Sequence, residues 1–148
     1  MKKSITLSGI FFLLCSSLAM AADDTPVGLW KSIDDDTGQP KALIRISETN
    51  GTFSGVIEKV YRAPNEEQNP LCVQCSGELK DQPVNGMTIL TGLQKDGEEY
   101  TGGEILDPGN GKTYKSKLVV EDNGQKLKVR GYIGIPALGR TQTWLREQ

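Results

Sequence analysis

Val27-Gly28-Leu29-Trp30 is the stretch on which the fold of this chain turns. It carries one of only two tryptophans, and the other, Trp144, lies close to the opposite terminus. Between them the chain reads as one extended segment after another. A large aromatic near each end predicts that the first and last strands meet and close a sheet on itself as a barrel. Gly28 fits such a closure, because a residue without a Cβ lets another segment cross tightly while the Trp30 indole plugs one end.

The residues before this stretch read as an export signal. Lys2 and Lys3 form a positive n-region, Ile5 to Leu18 is mostly apolar, and Ala19-Met20-Ala21 offers small residues for cleavage after Ala21. The apolar run is shorter than the roughly 20 residues that a membrane-spanning helix needs. Cys15 follows Phe12-Leu13-Leu14, whereas a lipoprotein signal wants a small residue just before its cysteine. The expected organisation is a signal peptide over 1–21 and one domain over 22–148, in the periplasm or the medium. Without Lys2 and Lys3, the 19 acidic residues outnumber the basic ones further than the formal net charge of −2 states. Such a balance argues against nucleic acid, whose backbone calls for a basic surface.

From Val27 onward, eight β-rich runs alternate with Gly, Asp, Asn and Pro clusters, and no window shows a helical stripe. Ala42, Ile44 and Ile46 alternate with Leu43 and Arg45, and Phe53, Gly55 and Ile57 alternate with Ser54, Val56 and Glu58. Asn50-Gly51 between these runs is a hairpin signal, since both central positions of a type I′ turn need positive φ. Residues 62–83 break the rhythm with Pro64, Pro70, Pro83, Cys72 and Cys75, and predict one long excursion. Tight turns between neighbouring runs favour an all-β, eight-stranded antiparallel up-and-down barrel over a two-sheet sandwich, which would need more long crossovers.

The motifs carry a resemblance. Gly28-Leu29-Trp30 with an arginine in the last run resembles the lipocalin and calycin pattern, in which that arginine packs across the tryptophan. Arg140 and Arg146 are the candidates. Cys72-Val73-Gln74-Cys75, residues 103–108, Gly111-Lys112-Thr113-Tyr114, residues 129–134 and residues 139–144 together resemble an exported bacterial family with a domain of unknown function, DUF2147. The resemblance implies a lipocalin-like barrel and no established activity.

Several groupings invite chemistry. Cys72 and Cys75, with no other thiol left once the segment holding Cys15 is cleaved from an exported chain, are expected to form a disulfide. A redox pair would need a helix N-terminus to lower a thiol pKa, and zinc would need two further ligands in a chain without histidine. Asp34-Asp35-Asp36 suits a solvated turn better than a calcium loop, because no glutamate closes it at the right distance. Asp107-Pro108-Gly109-Asn110-Gly111 likewise has turn composition. Glu104 shares parity with Gly102 and Leu106, which points it inward and calls for Arg130 or Lys117 as an ion-pair partner. Tyr100, Tyr114 and Tyr132, with Arg130, are candidate ligand-binding residues if the barrel is hollow.

No nucleophile, base or metal cluster assembles from these residue types, so no catalytic residue, metal ligand or cofactor is expected. Two roles remain. The first is a non-enzymatic carrier or sensor for a small apolar or amphipathic molecule, which requires an interior void of some hundreds of Å³. The second is a protein-binding module or inhibitor acting through residues 62–83, which expects a packed interior.

Overall fold

The computed structural model describes residues 24–148; the expected signal peptide and Cys15 lie outside them. Eight antiparallel strands form one closed barrel in sequence order. They are β1 (Gly28–Ile33), β2 (Pro40–Thr49), β3 (Thr52–Val60), β4 (Thr88–Asp96), β5 (Glu99–Asp107), β6 (Lys112–Glu121), β7 (Lys126–Tyr132) and β8 (Arg140–Glu147). The eight-stranded up-and-down topology expected from the alternation is the one observed. Asn50 and Gly51 both take positive φ, 50° and 80°, as the hairpin between β2 and β3 demands.

Closure lies at β1 and β8, where Trp30 is opposite Arg146 and Ser32 is opposite Trp144. On the outer surface, Lys31 Nζ and Glu147 Oε2 bridge this seam at 2.6 Å. Inward residues follow the pleat: Ala42, Ile44 and Ile46 of β2 are buried, while Leu43 and Arg45 are not. Irregularities in register bend the sheet at Leu43/Ile44, at Phe53/Gly55 and between Tyr100 and Gly103.

The last of these corrects the reading of Glu104. An extra residue between Tyr100 and Gly103 shifts the parity of β5, so Tyr100 and Gly103 are buried and Glu104 faces solvent. Neither expected partner serves it, because Lys117 instead pairs with Glu99 at 3.0 Å.

The core fills one end of the barrel. Trp30, Ile46, Leu93, Leu118 and Leu127 are almost fully enclosed there, and the Phe53 and Tyr100 rings meet edge to face at 4.8 Å. Each large apolar side chain so enclosed contributes roughly 1.5–3 kcal/mol. The excursion between β3 and β4 folds back at the opposite end. Its two arms pair through Cys72 N to Gln82 O and Val84 N to Pro70 O, and Asn85 Oδ1 accepts a bond from Val60 N.

Candidate functional site

The two ends of the barrel differ in chemistry. At the filled end, the Trp30 indole donates to Pro26 O at 2.7 Å, and the Arg146 guanidinium lies 4.2 Å from the centre of its ring. Arg146 also donates to Val27 O at 2.9 Å, to Thr25 O at 2.8 Å and to Gly124 O. Gly28 has φ 139°, and a Cβ there would come within 2.5 Å of Arg146 Nη1. Glycine therefore makes room for the arginine.

Arg140 has a different place. It sits at the start of β8, largely exposed, in an ion pair with Asp35 that holds its charge even more firmly than usual. The two arginines that the sequence left as alternatives thus lie at opposite ends of one strand, and Arg146 is the one that covers Trp30.

The other end is hollow. A cavity of about 670 Å³ runs into the barrel, walled by apolar side chains that include Ala42, Ile44, Ile57, Ile89, Ile105, Val129 and Trp144. Its mouth opens between the excursion, the β5–β6 turn and the β7–β8 connection, where Leu71, Val73, Ile133 and Leu138 line it and are also exposed. Leu138 is 77% exposed and Ile133 64%, unusual values for large apolar residues.

Two contacts set the shape of this mouth. Cys72 and Cys75 form the expected disulfide, with Cα atoms 5.3 Å apart, and both are buried. Their loop seats on the β5–β6 turn so tightly that a Cβ on Gly111 would fall 1.8 Å from Gln74 O. Across the mouth, Arg130 reaches from β7 to hold the β7–β8 connection, donating to Pro136 O at 2.7 Å, Thr141 Oγ1 at 2.6 Å and Gly139 O at 3.3 Å.

The candidate ligand residues are therefore divided. Tyr114 and Tyr132 line the cavity, and the Tyr114 hydroxyl accepts a bond from Asn110 Nδ2 at 2.9 Å. Tyr100 lies at the filled end, away from the cavity, where burial pushes its hydroxyl pKa above the usual value of 10. Arg130 is also outside the cavity, because its guanidinium is spent on the connection. In the Asp34-Asp35-Asp36 turn, Asp34 Oδ1 accepts from Thr37 N, Thr37 Oγ1 and Asp36 N, which holds its pKa below the usual range. Among the described residues, no group of three or more His, Cys, Asp or Glu is placed to hold a metal, and no helix is long and apolar enough to cross a membrane.

Sequence reasoning missed the apolar rim and the cations beside it. Ile133, Ile135 and Leu138 sit in a connection, where polar residues are the rule, and that anomaly was the available signal. Lys41 and Arg62 also line the mouth, although nothing in the pleat alternation marks either.

An eight-stranded antiparallel barrel, packed at one end under a tryptophan–arginine pair and hollow at the other, is a lipocalin-like barrel. The same architecture occurs in a solved protein from the human pathogen Helicobacter pylori, HP1028, described as belonging to the lipocalin family. It matches with a TM-score of 0.69 and 21% sequence identity over 82% of each chain. The chain belongs to the DUF2147 family, described as an uncharacterized protein conserved in bacteria, whose model matches residues 28–146. Among curated proteins, none matches the chain by sequence.

Proposed function

We propose that this protein is exported to the periplasm or the medium and acts by binding, without catalysis, holding a small apolar or amphipathic molecule inside its barrel. The observation that carries this reading is the cavity itself. Its volume of about 670 Å³ falls within the roughly 300–1,000 Å³ typical of small-molecule sites. Its walls are apolar and its mouth is open, so a ligand gains hydrophobic burial without unfolding the barrel. An open interior supports this reading over a protein-binding role for residues 62–83, which expects a packed one. Export is supported by the character of residues 1–21.

Native mass spectrometry of protein purified from the organism that makes it tests the proposal. A co-purifying small molecule is expected, and it should be lost when Ala42→Trp fills the cavity. Repeated recovery of the bare chain, with no apolar probe bound in titration, would contradict it.

A further inference from the structure

The mouth is not electrically neutral. Among the described residues, Lys41, Arg62 and Arg140 line it, against Asp107 as the one acidic lining residue, in a chain whose acidic residues outnumber its basic ones. The four charges are not equally available. Arg140 is engaged by Asp35, and Asp107 Oδ1 accepts from Gly109 N at 2.8 Å within its own turn. Arg62 is only loosely paired, with Nε 3.7 Å from Glu66 Oε2 and both side chains partly exposed. Lys41 makes no ion pair among the described residues.

The fold brings the two loosely held cations to one sector of the rim. Lys41 is the second residue of β2, and Arg62 lies two residues past the end of β3. Tyr61 N donates to Lys41 O at 2.9 Å, which puts Arg62 one residue beyond the backbone position paired with Lys41. Directly below them, Ala42, Ile44, Ile57 and Val60 form apolar wall. Opposite, the rim is apolar, with Ile133 and Leu138. A molecule lying in the cavity with its tail downward would therefore place its head beside Lys41 and Arg62.

We infer that the preferred ligand is an anionic amphiphile: an apolar chain in the barrel and a carboxylate or phosphate head at Lys41 and Arg62. This rests on the cavity reading and goes beyond it by naming the charge of the head and the residues that select it. A neutral molecule would bury the same apolar surface and leave both cations to water. A cationic head would meet two like charges at close range, which is unfavourable where water is partly excluded.

Isothermal titration of the full mature chain with decanoate, decyl phosphate, decanol and decyltrimethylammonium, all below micelle-forming concentration, tests the inference. The tail is the same in each, so differences report the head. At least one anionic probe is expected to bind about tenfold tighter than decanol, since two partly exposed cations each contribute modestly. Decanoate and decyl phosphate, compared with each other, tell which head fits. The double variant Lys41→Gln/Arg62→Gln, checked for an unchanged melting temperature, should lose that preference and keep its affinity for decanol. Lys41→Glu/Arg62→Glu should turn the preference toward decyltrimethylammonium.

If decanol binds as tightly as both anions, or the preference survives both double variants, the inference is wrong and the cavity reading stands. If none of the four probes binds, both fall.

Discussion

Replacing Arg146 with alanine removes more than a surface charge. Its guanidinium donates to three backbone carbonyls, those of Thr25, Val27 and Gly124, and covers the face of Trp30 at 4.2 Å. Hydrogen bonds to charged groups contribute about 1.5–3 kcal/mol each when buried, so in this partly buried setting about 1 kcal/mol each is a fair value. Cation–π contact adds roughly 0.5–1 kcal/mol. The sum, about 3–4 kcal/mol, is a large part of the roughly 5–15 kcal/mol by which a domain is stable. Arg146→Lys keeps the charge over the ring but lacks the planar fork, and should lose about half as much. The control is Arg140→Ala at the other end of β8, a surface ion pair that should cost under about 1 kcal/mol. Urea unfolding followed by tryptophan fluorescence measures all three. Should Arg146→Ala lose no more stability than Arg140→Ala, the assignment of the closure contact to Arg146 is refuted.

Three further outcomes are expected. Gly28→Ala puts a Cβ within 2.5 Å of Arg146 Nη1 at φ 139°, and should destabilise by about 1–3 kcal/mol; an unchanged urea midpoint would contradict the tight crossing at that point. Gly111→Ala should lift the disulfide loop off the β5–β6 turn, because the Cβ meets the backbone oxygen of Gln74. Hydrogen exchange at Cys75 N should then rise while strand amides stay protected, and unchanged exchange counts against the seating. The Asp34 carboxylate, whose folded-state pKa is held below the ordinary aspartate value by its bonds from Thr37, adds stability that is complete above that ordinary value. It is lost as pH falls through the lowered folded value, so Asp34→Asn should flatten the acid limb of a stability profile below about pH 4. An equally steep limb in the variant would exclude the turn as its source.

Much of the fold was legible because its causes are local. The alternation of Ala42, Ile44 and Ile46 needs only the pleat, and Asn50-Gly51 needs only its own backbone. Trp30 and the last strand could be joined from sequence because a barrel leaves both ends one place to go. Glu104 was misread because the bulge between Tyr100 and Gly103 depends on how β5 sits against β6, and no residue of β5 alone states it. Tyr100 and Tyr114 looked alike in composition, yet β5 begins at the filled end and β6 begins at the open one. Arg130 looked available until the β7–β8 connection closed over it. Lys41 and Arg62 both line the mouth because β2 and β3 pair, which makes the rim a property of the closed sheet.

The central claim is that the open half of the barrel receives a ligand while the filled half does not. Methyl-resolved NMR during titration with decanoate tests it most directly. Shifts are predicted for Ile57, Ile89, Ile105 and Val129, which line the cavity, while Leu93, Leu118 and Leu127 at the filled end stay in place. No shift at any of the first four under saturating probe, or shifts confined to outward-facing residues such as Leu43 and Leu145, would contradict it.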